Sequence, residues 1–454
     1  MLHAILGFIS ASLGSDETAF SALAQIEREV RPCQCADAAV QVLDRAKPDL
    51  CARLRLRFGS PVAEGLTLKI LNLFLARYQF QARCAWLLSR PFGLVVDPSN
   101  ACRLACPGCV HSARNEALHV FDWPKTTLTV ERFSALLKRY GPHAIGVEFC
   151  NYGEPLLNLN TPSLIRLAKR YLLRTGLSTS LSVQRFDAEA YVESGLDTMA
   201  LSIDGATQPT YERFRRNGDL ELVFSNIRKL VGAKKAAGKR TPVLTWKYLA
   251  FEHNVHEIAL AIRMARKLGV NQFLVANSYD VRWDDPEVRP AAIKARARRL
   301  DWPSPARQAS NWNPFPDCVD GDAITNAFAN PWNGQAVHTS ARSSAHTCHW
   351  LYKNMVMDAA GRILPCCGAP GPEVDLVFGM FDGHGADPFN SEKHRQARSW
   401  FAGEALPATR PPHCARCKWN QNSVNIGARD VRSYFWCADK VFFDFRSLRI
   451  LSGW

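Results

Sequence analysis

The stretch Gly93-Leu-Val-Val-Asp97-Pro-Ser-Asn-Ala-Cys102-Arg-Leu-Ala-Cys106-Pro-Gly-Cys109 joins a short β-rich run to three cysteines spaced C-x3-C-x2-C. Three thiolates on one short loop can hold three irons of a four-iron cube and leave the fourth iron without a protein ligand. A structural zinc site wants four protein ligands, so three alone argue against zinc. The order of strand first and cysteine loop second decides how the following two hundred residues are read.

Downstream, β-rich runs alternate with helical patterns. The runs are Gly146-Val-Glu-Phe-Cys150, 177–183, 198–204, 244–251 and 272–277. Between them lie helical periods at 130–140, 162–175, 188–195, 222–237 and 256–268. Six strands separated by helices imply parallel pairing through right-handed crossovers. The expected fold is α/β, a partial (β/α)6 TIM-like barrel over 89–300. Chemistry in such barrels collects at the C-terminal ends of the strands, where the cysteine loop stands.

The remainder divides into three flanking parts. Residues 1–88 read as an N-terminal helical extension, with helices at 17–30, 36–46 and 66–88. The last carries apolar residues nearly all round, with Lys69, Arg77 and Arg83 between them. It reads as a core helix or as one in peripheral contact with a membrane. Residues 301–347 are rich in Pro, Asn, Ser and Trp and read as an irregular linker. Residues 348–437 form a small cysteine-rich domain, and 438–454 a C-terminal tail. The apolar start of the chain has no Lys or Arg ahead of it and no clean cleavage site, so it reads as a first helix rather than a signal peptide. No run of eighteen apolar residues suggests a transmembrane span.

Composition is that of a globular protein, 47% hydrophobic and 22% charged. The net charge of +14 is spread along the chain. Its densest patch, residues 294–299, reads as a solvated helix face, and no nucleic-acid partner is expected. Fifteen cysteines without a secretion signal argue for metal binding in a reducing, cytoplasmic setting rather than for disulfides. Seven fall into two groups. Cys33, Cys35, Cys51, Cys84, Cys150, Cys318, Cys367 and Cys437 read as small buried residues. Cys150, Cys318 and Cys437 are the thiols that could donate a hydrogen atom at the barrel mouth.

The cysteine loop resembles the defining motif of the radical S-adenosylmethionine (SAM) superfamily, with one departure: Gly108 stands where an aromatic residue usually precedes the third cysteine. The resemblance implies that Cys102, Cys106 and Cys109 hold a 4Fe–4S cluster whose free iron SAM chelates. Tyr152-Gly-Glu-Pro155 resembles the Gly-Gly-Glu-Pro element, with Tyr152 in place of the first Gly, implying that the backbone of Tyr152, Gly153, Glu154 and Pro155 and the Glu154 carboxylate hold the SAM amino group. Ser202-Ile-Asp-Gly205 resembles the Ser-x-Asp-Gly turn, with Asp204 at its centre. Phe214-Arg215 resembles the Tyr-Arg position whose guanidinium meets the SAM carboxylate, a role that suits a bidentate donor. Ser180 and Ser182 are candidates for the ribose. The group His253-Asn-Val-His256-Glu257 does not have the order of a zinc protease and is read as a strand-to-helix turn.

Cys348, Gly361 and Cys366 follow the spacing C-x12-G-x4-C, and Cys414-Ala-Arg-Cys417 lies downstream. With Asp358-Ala-Ala-Gly361 and Pro365-Cys-Cys367 they resemble a SPASM/twitch auxiliary domain. The glycine permits a tight turn between two ligands. Ser423 occupies a position where two-cluster versions carry another cysteine. One auxiliary 4Fe–4S cluster on Cys348, Cys366, Cys414 and Cys417 is therefore expected. A zinc ribbon fits the same four spacings.

Taken together, the expectation is an enzyme that reductively cleaves SAM to a 5′-deoxyadenosyl radical and abstracts hydrogen from a peptide or from a sugar- or lipid-linked substrate. The net outcome is oxidation, epimerisation or another radical modification. A flavodoxin- or ferredoxin-type reductant supplies the electron. The alternative is a non-catalytic iron–sulfur or zinc-binding protein.

Overall fold

A computed structural model describes residues 17–112, 125–277, 287–289, 291, 348, 350–366, 376–402, 414, 441–444 and 449–452. The linker, residues 294–299, Cys318, Cys367, Cys417 and Cys437 lie outside the described residues.

Three helices open the described chain: α1 (Glu17–Val30), α2 (Ala36–Phe58) and α3 (Ser60–Gln81). Helix α2 is twelve residues longer than expected and runs through Pro48. A proline inside a helix removes one donor and crowds the preceding turn. Here Leu50 and Leu54, 1% and 0% exposed, bury the continuation in the helical core and hold it in register. Helix α3 ends seven residues earlier than expected, at Gln81. Its apolar residues are buried on several sides. Lys69 is buried and donates to the carbonyls of Gly141 (2.7 Å) and Ala144, just past the end of a barrel helix. Burial lowers the Lys69 pKa to about 7. Arg77 pairs with Glu27 at 2.9 Å.

The barrel follows as β1 (Gly93–Val96), α4 (Val130–Tyr140), β2 (Gly146–Phe149), α5 (Thr161–Arg170), β3 (Arg174–Thr179), α6 (Ala188–Glu193), β4 (Thr198–Ser202), α7 (Gln208–Phe214), α8 (Leu220–Ala236), β5 (Val243–Ala250), α9 (Ile258–Lys267) and β6 (Gln272–Asn277). Local sequence starts these helices. Thr129, Asp187 and Asp219 each accept a backbone N–H of the first turn of α4, α6 and α8. The six strands pair in chain order, all parallel. Leu94, Val96, Val147, Phe149, Leu177, Met199, Leu201 and Trp246 point outward into one core with the helices. Strand β3 begins three residues earlier than expected and ends at Thr179, so Ser180 and Ser182 sit on the loop beyond it.

The sheet does not close. On its first edge, β7 (Asn354–Met357) pairs parallel with β1, and β8 (Arg362–Leu364) and β9 (Gly379–Met380) follow antiparallel. On the other edge β10 (Val441–Asp444) pairs antiparallel with β6, and β11 (Arg449–Ser452) with β10. The eleven-stranded sheet therefore incorporates both the cysteine-rich region and the residues read as a tail. Helix α10 (Glu392–Ala402) completes the described C-terminal part. Arg398, fully buried, donates to the carbonyls of Leu351 (2.9 Å), Ala85 (3.1 Å) and Phe389 (2.6 Å). Asn390 exchanges bonds with both backbone groups of Leu87, at 3.0 and 2.8 Å. Asp387 takes Arg90 and the Tyr140 hydroxyl. These bonds lock the helical extension, the barrel and the C-terminal part to one another. Among the described residues no helix is long and apolar enough to cross a membrane.

Candidate active site

The cysteine loop leaves β1 through Asp97, whose buried carboxylate organises the mouth of the barrel. Its Oδ1 accepts the backbone N–H of Tyr152 (2.9 Å) and of Gly153 (3.4 Å), and its own N–H donates to Met357 on β7 (3.0 Å). Burial raises the Asp97 pKa to about 8 against the pull of the backbone N–H groups of Tyr152, Gly153 and Asn151. The loop is pinned at three further points. Asn100 Oδ1 accepts from Ala359 (2.9 Å), Glu154 N–H donates to the Ala101 carbonyl (2.8 Å), and Ala105 N–H donates to Arg216 (3.1 Å). Gly153 has to be glycine, because a Cβ there would lie 1.7 Å from the Ser99 carbonyl oxygen.

Cys102, Cys106 and Cys109 pack with Leu104, Phe214, Leu249, Phe251 and Val288 in a small apolar cluster of their own. Turns at Cys106–Cys109 and Cys109–Ser112 wind the loop. Gly108 has a φ of +73°, the left-handed region that favours glycine, so the departure from an aromatic residue matches the local backbone. Burial pushes the Cys102 thiol to about 12, with Glu154 adding to the rise, and the Cys106 thiol to about 11 against the pull of Arg215. Among the described residues no three His, Cys, Asp or Glu side chains come close enough to hold a single metal ion. In a four-iron cube each of the three thiolates would meet a different iron, and iron binding would release the thiol protons and remove the cost of a bare buried thiolate.

The turn 152–155 brings Glu154 inward, 4% exposed. Its Oε1 accepts from the Thr179 hydroxyl (2.5 Å) and Leu156 N–H (3.2 Å), and its Oε2 accepts from the Ser180 N–H (2.9 Å) and hydroxyl (2.7 Å). The Ser182 hydroxyl accepts from Asp219 N–H at 3.1 Å. At the end of β4, Ser202 Oγ lies 3.5 Å from Ser178 Oγ. Asp204, 0% exposed, accepts Arg215 Nε at 2.6 Å and Leu249 N–H at 2.6 Å. Arg215 Nη1 lies 3.8 Å from Cys106 Sγ, and its guanidinium covers the Phe214 ring at 4.9 Å. Asp204 holds the Arg215 pKa above its ordinary value, although burial alone would lower it. The guanidinium is thus a fixed positive charge beside the thiols, with donors left for a carboxylate.

Sequence reasoning missed two anchors. Asn254 spans the loop after β5, donating to the carbonyls of Asp204 (3.0 Å) and Leu249 (2.9 Å) and accepting from Phe251 N–H (2.7 Å). Glu257 accepts the N–H groups of Ala206 (2.6 Å) and Thr207 (3.1 Å) and the hydroxyls of Thr207 (2.6 Å) and Thr210 (2.9 Å). Their signal was present in His253-Asn-Val-His256-Glu257. The turn reading of that segment agrees with these bonds, which are made by its Asn and Glu.

On the other side of β1, the turn Asp358-Ala-Ala-Gly361 joins β7 to β8. Gly361 has a φ of +92°, and a Cβ there would lie 2.7 Å from the Phe381 carbonyl. Cys366 follows β8, partly exposed; Cys348 is partly buried and Cys414 buried. Cys150 directly follows β2 and is partly exposed.

The fold and the site are thus a half-barrel with a three-cysteine loop after its first strand. Residues 96–281 match the family described as "Radical SAM superfamily", and the chain carries a radical SAM domain there. No curated protein matches the chain. Among solved structures it is similar to Streptococcus suis SuiB bound to S-adenosylmethionine, at 13% identity and a TM-score of 0.47, covering 86% of this chain and 84% of that one. It is also similar to SuiB bound to precursor peptide SuiA (14%, TM-score 0.42), covering 66% of this chain and 65% of that one. A third likeness is to anSMEcpe with bound AdoMet and Cp18Cys peptide (13%, TM-score 0.40; 72% and 87%).

Proposed function

We propose that the chain is an enzyme that cleaves SAM reductively and removes a hydrogen atom from a substrate C–H bond. The observation that carries this reading is the placement of Cys102, Cys106 and Cys109 at the C-terminal end of β1, packed against Phe214 and Phe251 and faced by the Arg215–Asp204 pair. Cys102, Cys106 and Cys109 would hold a four-iron cluster there, and the chemistry it would supply is the single electron needed to split the SAM sulfonium.

The chain's own residues bind, orient and exclude water. Arg215 offers a charge already fixed by Asp204, so little reorganisation is needed to meet a carboxylate. Tyr152 to Pro155 form a turn held by Asp97 and close to the cysteine loop, with Glu154 braced by Thr179 and Ser180. Ser180, Ser182 and Ser202 stand on the same rim for the polar parts of SAM. The apolar cluster around the cysteines keeps water from the reacting atoms. Cys348, Cys366, Cys414 and Cys417 would close a second four-iron cluster that takes an electron from the substrate or orients it. A flavodoxin- or ferredoxin-type donor in a reducing cytoplasm completes the set.

The test is anaerobic reconstitution with iron and sulfide, followed by SAM and a chemical reductant. The expected product is 5′-deoxyadenosine in the wild-type chain and none in Cys102→Ala. Equal product in both would overturn the reading.

A further inference from the structure

Strand β7 reads Asn354-Met-Val-Met357, and all four residues are buried. Three are apolar. Asn354, 1% exposed, is the exception, and neither its Nδ2 nor its Oδ1 has a hydrogen-bond partner among the described residues. Tyr352, two residues earlier and 2% exposed, has a hydroxyl in the same condition. Burying a polar group without a partner is costly, and such groups in a native fold mark a place where a group from outside the chain belongs.

Each lies beside a cysteine of the second set. Val356 pairs with Leu364 and Met357 with Ile363. The same antiparallel register, carried back by two residues, sets Asn354 opposite Cys366. Alternation along the strands puts that pair on the face of Val356 and Leu364, which pack together. The neighbour of Asn354 on the other side is Gly93 of β1, which carries no side chain to meet the amide. A turn in which the Leu351 N–H donates to the Cys348 carbonyl (3.3 Å) sets Cys348 just ahead of Tyr352. Tyr352, Cys348 and Cys414 pack in one core. Phe80 meets the Tyr352 ring edge-on at 5.3 Å and Arg398 covers it at 5.7 Å, so the hydroxyl is held inside. Burial raises the Tyr352 pKa against the pull of Arg398, and the nearby thiols of Cys84 and Cys348 add to the rise.

A four-iron cluster held by cysteines presents acceptors alone, its thiolate and sulfide sulfurs. It therefore matches two orphaned donors. We propose that the Asn354 amide and the Tyr352 hydroxyl donate to sulfurs of the second cluster, Asn354 on the Cys366 side and Tyr352 on the Cys348 side. Donors on the sulfurs stabilise the more negative, reduced form, so the pair raises the reduction potential of that cluster. The inference rests on the second cluster proposed above. Neither residue is a ligand; the thiolates would hold the cube without them, at a lower potential.

The experiment is an anaerobic redox titration of the iron-loaded full chain, read by electron paramagnetic resonance. The signal that SAM perturbs belongs to the barrel cluster, and the signal it leaves alone belongs to the second. Asn354→Leu and Tyr352→Phe are each expected to shift the second cluster about tenfold toward its oxidised form, the net worth of one hydrogen bond, or about 59 mV for one electron. The barrel cluster's potential and a content of about eight irons should not change. Transfer to D2O should shift the Fe–S stretching bands of the second cluster in the wild type and less so in the double variant. Tyr352→Phe removes a single oxygen atom, so it decides the matter if Asn354→Leu takes up less iron. An unchanged potential in either variant at full iron overturns the assignment of that residue and leaves the second cluster standing. A wild type with only about four irons overturns the second cluster and this inference with it. Formation of 5′-deoxyadenosine reads the barrel's proposed function separately.

Discussion

Ser180 holds Glu154 with two donors on one oxygen, its backbone N–H at 2.9 Å and its hydroxyl at 2.7 Å from Oε2. With Thr179 and Leu156 on Oε1, the carboxylate accepts four bonds while 4% exposed. An amide in its place turns an NH2 toward donors. Glu154→Gln is therefore expected to destabilise more than Ser180→Ala, which loses one bond worth about 1–2 kcal/mol. Urea unfolding of the two variants checks this; a Glu154→Gln protein as stable as Ser180→Ala would contradict the four-donor account.

Removing Arg215 leaves Asp204 charged, buried and short of a partner. Arg215→Ala is expected to cost about 3–5 kcal/mol of stability. The double variant Asp204→Asn/Arg215→Met should recover much of that while SAM binding remains about 1.5–3 kcal/mol weaker than in the wild type. Normal SAM affinity in the double variant would move the carboxylate contact to another residue, with Arg213 or Arg216 next in line.

Iron content separates the two cysteine sets. Reconstituted wild-type protein is expected to carry about eight irons per chain, as two cubes. Cys102→Ala should fall to about four and lose SAM cleavage. Cys348→Ala should also fall to about four yet keep the cluster on the barrel loop. An unchanged count in either variant removes that cysteine from its set.

Asp97 gives stability a definite pH dependence. Its folded pKa is raised from the ordinary 3.8 to about 8, so folding favours the protonated form. Its contribution is whole below 3.8, declines as pH rises, and is lost above about 8. Its Oδ2 has no hydrogen-bond partner among the described residues. Asp97→Asn keeps an acceptor for Tyr152 and Gly153 and cannot ionise. The variant should match the wild type at low pH and gain on it steadily across that window. Parallel thermal-unfolding curves over the whole range would show that Asp97 is ionised without penalty.

The six barrel strands were legible because parallel strands buried on their outer face read as runs of Leu, Val and Phe between helical periods. The cysteine loop was legible from spacing alone, and the Gly361 turn from the need for a left-handed residue between β7 and β8. Non-local pairing was not. Nothing in Asn354–Met357 says that it will lie beside Gly93–Val96, since two apolar tetrapeptides carry no address. Helix α2 ran past Pro48 because tertiary burial of Leu50 and Leu54 outweighs one lost donor. Ser180 and Ser182 were read on a strand that ends at Thr179, and the partnership of Ser180 with Glu154 joins residues 26 apart in the chain. Glu148 lies within a strand of four residues, too short for alternation to show which face is open.

The pairing of β7 with β1 also bears on electron movement. Tunnelling falls off steeply with distance, so two redox centres exchange electrons reliably only when their separation does not wander. Cys102 and Cys366 hang from neighbouring parts of one hydrogen-bonded lattice, a strand apart, although more than 260 residues of chain lie between them. Their spacing is set by sheet register, and the covalent path through 301–347 does not enter it. Insertions or deletions in that path should leave the electronic coupling between the two proposed clusters as it was.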